Sequence, residues 1–480
     1  MSIEGVCAGF ATGLLLKNLF YLFEICFERP LRRFVRYGAC CDPHHIVWDE
    51  PSRGSQERPD ALFVASANHL QDFFPMKQLD SHHKPLRILF TMWSIGRGGV
   101  TSSFCVLASY LESLGHEIKV VQDIRRRNES AMQVVPKKYL IGWTPEVRCP
   151  IPHFGRVWLW LNCLFNWRFL LRGWLSKKHF NYDCFVLYNG YDLNMYMVRF
   201  ARKTPSVLWL HEMAEIAESC AQRHRRFGFT SRLRDWSTKK AMGGFDEYVA
   251  VSRRAAETQR VAKGLKNTPR VIYNLLDISD IEEKAKLTQS EITRSDAVNI
   301  IYLGRLSPEK GIDRLIDAIA ELRGSVPPFR LWIVGDDYYI SHDKSENVRL
   351  MLERQVKDKG LSEIVTFLGD RPNPYPYLKA ADLMVLPSRR EGMGIVIWEA
   401  LVCGTPVVAT DSGGPREALK NGRWGAVVEN STDGIKRGVL DFLEGRMSFD
   451  MDKIRAEVIT MDGENRKQVK ELFDEIAMRV

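Results

Sequence analysis

The sequence predicts an α/β protein made of two doubly wound, parallel-sheet domains, preceded by an apolar and irregular extension. Three observations carry that expectation. Short apolar strands alternate with helical patterns twice along the chain, first from Arg87 and again from Ile300. A polar, apolar-poor stretch, Glu282 to Asn299, separates the two series and reads as a linker. Several strands end in glycine-containing turns that open onto helices, where open α/β sheets gather their ligands.

The bulk composition agrees. At 480 residues the chain exceeds one ordinary core, and its 45% hydrophobic and 26% charged residues are those of a globular protein. The net charge of +9 favours an anionic partner. No RNP, zinc-finger or helix-turn-helix pattern supports nucleic acid, which leaves a phosphorylated substrate or an anionic membrane face. The ten cysteines are scattered apart from Cys40 and Cys41 and form no C-x-x-C unit, so free thiols in a reducing compartment are expected.

Residues 1–85 form the extension. Its run Gly5 to Phe27 is long enough to span a bilayer but is interrupted by Lys17, Asn18 and Glu24, and arginines follow through Arg36. No positive region precedes the run and no cleavage site follows, which argues against a secretory signal. An N-terminal anchor with its basic flank in the cytoplasm, an interfacial amphipathic helix, and a helix packed on the protein body all fit. The first domain, 86–285, opens with the strand RILFTMWS, the turn IGRGGV, a helix from Val100 to Leu114 and the strand EIKVVQD. Gly98 and Gly99 permit close backbone approach and set N–H groups at a helix start facing an anion, although the run matches neither a dinucleotide fingerprint nor a Walker loop. Further strands are expected at Cys184 to Tyr188, Val207 to Leu210, Glu247 to Val251 and Val271 to Tyr273. His211 ends the strand SVLWLH, so it reads either as a site residue or as a capped core histidine. His211 and Glu212 begin like a zinc-protease motif, but Glu215 stands in the second ligand position, which excludes it. Val157 to Leu175 carries four tryptophans, with Lys177 and Lys178 behind it. It suits either a membrane interface (157–178) or a core helix.

The second domain, 296–450, continues the alternation through strands at Ile300, Leu331, Val365, Leu383, Val407 and Gly425, and a helical tail, 451–480, follows that packs back toward the first domain. Its first strand ends in GRLSPEKG. Arg305 and Lys310 there suit a diphosphate, Arg by forking two oxygens and Lys as a point charge, or they form a solvated pair. The fourth strand delivers PSRREGMGIVIWEALVCGTP, in which Glu391 lies in the turn and Glu399 eight residues on in a helix. The fifth strand delivers DSGGP. Three anion-friendly turns on one sheet edge make a nucleoside-diphosphate site the economical reading.

At this point the sequence resembles the retaining nucleotide-sugar glycosyltransferases of the GT-B fold, in particular glycosyltransferase family 4. The resemblance spans about Leu86 to Val480. It rests on GRLSPEKG, FLGD, SRREGMGIVIWEALVCGTPVV and SGGPREAL, with VSRRAAE and VIYNLLD in agreement. It implies that Glu391 contacts the donor sugar and Glu399 the ribose, that Arg305 and Lys310 stabilise the leaving diphosphate, and that backbone groups of Met393, Gly394 and Ile395 touch sugar and phosphates. Arg371 would lie by the base, Gly98 and Gly99 by the diphosphate or acceptor, and His211 by the donor sugar, orienting and polarising it. Met393 stands where Phe is common. The implied activity is retaining sugar transfer to a lipid-linked or glycan acceptor on the cytoplasmic side of a membrane. No D-x-D pair sits at a strand end, so basic side chains replace a metal and no cofactor is expected. An epimerase or hydrolase of the same fold, or a non-catalytic binding subunit, is the alternative.

Overall fold

The computed structural model describes residues 84–92, 98–122, 135–140, 182–189, 204–211, 243–265, 267–287, 291–292, 297–336 and 347–480. The expected membrane-facing segments, 5–36 and 157–178, lie outside them.

The first sheet is built from β1 (Arg87–Met92), β2 (Glu117–Gln122), β3 (Cys184–Asn189), β4 (Ser206–Leu210), β5 (Glu247–Ala250) and β6 (Arg270–Val271). Its order is β2-β1-β3-β4-β5-β6 and every pairing is parallel. Residues Ile88 to Met92 and all of β4 are buried, as strands covered on both faces must be. Helix α1 (Gly99–Ser113) connects β1 to β2, α2 (Arg253–Lys263) connects β5 to β6, and α3 (Ile278–Ala285) leaves toward the second sheet.

The second sheet holds β7 (Val298–Leu303), β8 (Phe329–Val334), β9 (Val365–Gly369), β10 (Leu383–Leu386), β11 (Val407–Thr410) and β12 (Ala426–Val428), in the parallel order β12-β11-β10-β7-β8-β9. The helices α4 (Ile312–Leu322), α5 (Val348–Asp358), α6 (Tyr375–Ala380), α7 (Ile395–Val402), α8 (Gly414–Ala418) and α9 (Thr432–Leu443) intervene. Both sheets are therefore doubly wound, as the alternating pattern requires. Strand order reverses between β1 and β3 in the first and between β7 and β10 in the second. The turns after β7 and β10 thus open at a topological switch point, where the carboxyl ends of neighbouring strands diverge and leave a crevice.

The last helix, α10 (Met451–Ala477), is tied to the first sheet's elements. Asp462, 3% exposed, accepts from the Leu276 backbone N–H at 2.8 Å and from Arg466 at 2.6 Å. Those bonds offset the several kcal/mol that burying a lone carboxylate costs. Arg270 pairs with Glu475 at 2.9 Å, and Arg479 with Glu247 at 2.7 Å. One buried cluster runs from Phe90 and Phe104 through Trp398 to Phe473, and a second, around Ile316 and Val439, covers the other face of the second sheet.

Three elements differ from the sequence reading. Helix α3 occupies residues 278–285, so the supposed linker begins inside a helix, held by the Asp277 cap and by buried Ile281 and Ala285. Helix α9 escaped the reading altogether. Strand β6 also stops at Val271, which frees Tyr273 to enter the cleft.

Candidate active site

The turn after β7 and the turn after β10 are stitched together. Glu309 O accepts from the Arg389 N–H at 2.8 Å, and Pro387 O accepts from Arg314 Nη2 at 2.8 Å. Gly311 makes this approach possible: it holds φ +67°, and a Cβ there would lie 2.2 Å from Pro387 O. Only a residue without a side chain fits.

This stitching brings Lys310, at the end of the 3-10 turn Pro308–Lys310, against Glu391. Lys310 Nζ donates to Glu391 Oε2 at 2.6 Å, and Ser388 Oγ donates to the same oxygen at 3.2 Å. Arg305 in the same turn donates to Glu309 Oε1 at 2.8 Å, and its buried Nε has no partner among the described residues. Burial alone would raise the Glu309 carboxyl. Its own backbone N–H, the Ser307 hydroxyl and the cations of Arg305 and Lys310 outweigh that and hold it below the usual carboxylate range. Both cations read as a diphosphate pair are thus matched by acids, Arg305 by Glu309 and Lys310 by Glu391.

Glu391 is also fixed through its backbone, which bridges to the turn after β11: its N–H donates to Ser412 O at 3.1 Å, and its O accepts from Gly414 N at 3.0 Å. Two residues on, Met393 buries its side chain in the core at 3% exposure, leaving its backbone toward the turn. Gly394 caps α7 at φ +79° with no side-chain bond, and Ile395 begins the helix. With no capping side chain and no acid in the first turn, the leading N–H groups of α7 remain available to an anion. Glu399 lies in α7 with Tyr375 Oη at 3.4 Å. Burial pushes its carboxyl up to about 7, only partly opposed by that bond.

Arg371, just past β9, donates to Glu291 Oε1 at 2.6 Å and stacks 5.6 Å from the Tyr377 ring. On the first sheet, Gly98 O accepts from Thr101 and Ser102 at the start of α1, and a Cβ on Gly98 or Gly99 would meet nothing within 4 Å among the described residues. His211, directly after β4, sits with its ring 4.3 Å from that of Tyr188, and its buried Nε2 has no partner among the described residues. Burial drives the imidazole down to about 3, so it is neutral at ordinary pH. Among the described residues, no hydrogen bond or ion pair joins Gly98, Gly99 or His211 to the clamp on the second sheet. What does cross is Ser252 Oγ to Gly392 O at 3.1 Å, and Glu417, which accepts from Tyr273 Oη at 2.6 Å and from the Arg253 N–H at 2.9 Å.

Sequence reasoning missed Glu309, Tyr375 and Glu417. The four-residue spacing of Arg305 and Glu309 was a readable signal. Tyr375 and Glu417 act across the fold and left none.

Residues 97–280 match the sequence profile of Glycosyltransferase Family 4, and residues 283–459 that of Glycosyl transferases group 1. Over 154 residues the chain is 39% identical to a GDP-mannose-dependent alpha-(1-6)-phosphatidylinositol monomannoside mannosyltransferase of Mycolicibacterium smegmatis, covering 30% of this chain and 38% of that protein. Over 212 residues it is 30% identical to the lipopolysaccharide core biosynthesis glycosyltransferase LpsE of Rhizobium meliloti, covering 44% and 57%. The chain thus spans about two fifths to three fifths of the length of these relatives. Among solved structures, Anabaena HepE in complex with UDP-glucose superposes with a TM-score of 0.61 at 21% identity, over 81% of this chain and all of that one, a likeness of fold. Two parallel doubly wound sheets, a carboxyl-edge clamp at the switch point of the second, and two adjoining profiles that together run from residue 97 to 459 lead to one conclusion: the chain belongs to glycosyltransferase family 4, of the GT-B fold.

Proposed function

We propose that this protein is a retaining glycosyltransferase that moves a hexose from a nucleoside-diphosphate sugar to a lipid-linked or glycan acceptor, without a metal, on the cytoplasmic side of a membrane. The observation that carries the reading is the Lys310–Glu391 pair, 2.6 Å apart, at the switch point of the second sheet. A cation and an acid held together there are what a diphosphate and a sugar hydroxyl would separate and share.

In the reaction, the bond from sugar C1 to the phosphate oxygen breaks while a bond from the acceptor oxygen to C1 forms on the same face. The acceptor's hydroxyl proton passes to the departing phosphate oxygen, so no separate base is required. Negative charge builds on the diphosphate, where Lys310, Arg305 and the first N–H groups of α7 meet it in a cleft poor in water. Glu391, released by Lys310, accepts sugar hydroxyls. Glu399 takes the ribose, Arg371 lies by the base, and Gly98 and Gly99 leave room for the diphosphate or acceptor. His211, neutral throughout, orients the sugar. Closure of the two domains brings donor and acceptor together.

The relatives support a nucleotide-sugar donor, one being named for GDP-mannose and a structural neighbour holding UDP-glucose. Their names also support a lipid-linked acceptor. The membrane part rests on the basic and aromatic sequence of 5–36 and 157–178; among the described residues no helix is long and apolar enough to cross a membrane.

The test is release of nucleoside diphosphate from GDP-mannose or UDP-glucose in the presence of membrane extract. Lys310→Ala and Glu391→Ala should each lose about 10²–10³ in rate, and normal turnover by either would overturn the reading. Flotation of the full chain with anionic vesicles tests the membrane part, which fails if the chain stays at the bottom of the gradient.

A further inference from the structure

Beside the clamp, a cavity of about 630 Å³ opens between the carboxyl ends of β5 and β6 and the loops after β10 and β11. That volume suits a ligand group of substantial size. Six cations line it, Arg253 and Arg254 from the first sheet's side and Arg389, Arg390, Arg416 and Lys420 from the second, against two carboxylates, Asp411 and Glu417. Arg389 is held by Asp313 at 2.6 Å and Arg416 by Asp411 at 2.8 Å. Arg390 and Lys420 have no carboxylate partner among the described residues. Glu417 accepts from the Arg253 N–H and from Tyr273 and lies 3.7 Å from the Arg253 guanidinium, so its charge is set chiefly against Arg253.

The wall is also built to present Lys420. Lys420, Asn421 and Gly422 hold φ of +48°, +57° and +97°, a left-handed turn that side chains other than glycine rarely adopt. Lys420 Nζ lies 5.7 Å from the Tyr273 ring and 5.0 Å from the Trp424 ring, which hold the ammonium in place without quenching its charge. The cavity adjoins the sugar end of the clamp. Arg390 precedes Glu391, and Ser412 and Gly413 of its wall pair with the Glu391 backbone. Its lining includes none of Arg305, Lys310, Glu391 or Glu399.

We propose that this cavity seats a phosphate carried by the acceptor, with Arg390 and Lys420 as its principal cations. The inference deepens the transferase reading and rests on it: a phosphate held here places the acceptor's neighbouring hydroxyls toward the donor sugar. Because both halves of the chain supply cations, binding also draws them together.

Full-length protein is titrated by calorimetry with inorganic phosphate while saturating UDP or GDP fills the donor clamp. Vesicle binding is measured in parallel with phosphatidylcholine alone and with added phosphatidylinositol. Phosphate should bind alongside the nucleotide. Arg390→Gln/Lys420→Gln should weaken it at least about tenfold, Arg390→Lys/Lys420→Arg should restore it, and nucleotide affinity should not move. Arg390→Gln alone, at an exposed position, serves if the double variant melts early. Phosphate binding in solution points to a soluble phosphorylated acceptor. Binding confined to phosphatidylinositol vesicles, and lost in the same variants, points to a lipid headgroup. Phosphate that competes with the nucleotide and responds to Lys310→Gln but not to the pair overturns the proposal and leaves the donor site standing. Failure of both nucleotides to bind the unaltered protein overturns the donor reading and the proposal with it.

Discussion

Lys310 Nζ and Glu391 Oε2 stand 2.6 Å apart, joining the turn after β7 to the turn after β10. Their side chains are 22% and 13% exposed, so the pair lies between an open surface bridge and a buried one. Removing one partner leaves the other half-desolvated and unpaired. Lys310→Gln should therefore lower stability by about 1–2 kcal/mol, and adding Glu391→Gln should recover part of that loss. Urea unfolding of the two single variants and the double variant gives the coupling directly. A double variant as unstable as the sum of the two would show that the pair carries no energy.

The Arg305–Glu309 bond at 2.8 Å sets Glu309 as the rival of an incoming phosphate. Glu309 is ionised, its carboxyl held low chiefly against burial by backbone and hydroxyl donors and by the two cations. Glu309→Gln should keep the shape while freeing Arg305, tightening nucleoside diphosphate binding by about three- to tenfold. Calorimetry reads this. Weaker binding would mean that Glu309 positions Arg305 rather than competing for it.

Glu399 gives the site its pH dependence. Its carboxyl titrates near 7 instead of 4.5 because burial disfavours the charge. A raised carboxyl pKa adds stability that is full below the unfolded value and is lost as pH rises through the folded one. Glu399→Gln should therefore melt with the unaltered protein near pH 4 and above it at pH 8, by roughly 2–3 kcal/mol after allowance for the residue's open edge. On the proposed contact of Glu399 with the ribose, only the ionised form accepts two hydroxyls fully, so nucleotide should bind more tightly as pH rises past 7 and should release a proton near that pH. The release is measured by calorimetry in buffers of different ionisation heat and should vanish in Glu399→Gln. His211, neutral down to about 3, contributes no inflection there.

Much of this was legible because parallel strands buried on both faces leave short apolar runs, and because turns at their carboxyl ends need glycine. Arg305, Lys310, Glu391 and Glu399 stand close to such turns and were readable. Helix α9 was not. Gly434 and Gly438 lower its helical propensity, yet a Cβ on Gly438 would lie 2.7 Å from Val408 and Val428, so glycine lets the helix press onto β11 and β12. Glu417 and Tyr273 were hidden for another reason: their bond spans the two halves of the chain, and no local pattern encodes a partner 144 residues away.

Gly311 is the sharpest test of how the clamp is held. Its φ of +67° is left-handed, and a Cβ would stand 2.2 Å from Pro387 O and 3.2 Å from Arg314 Nη2. The obstructing atom is backbone at the end of β10, which cannot swing aside as a side chain tip would. Gly311→Ala carries about 1 kcal/mol for the backbone conformation alone, and relieving the overlap must part the two turns. Since Lys310 is the neighbouring residue, that parting stretches the Lys310–Glu391 contact. The variant should lose at least about 2 kcal/mol of stability and most of its transferase rate. Gly324→Ala is the control: it has the same left-handed backbone at φ +78° with nothing within 4 Å of its Cβ, so it should lose only the conformational part and keep its rate. Equal losses in the two variants would show that the close approach at Pro387 is not what aligns the clamp.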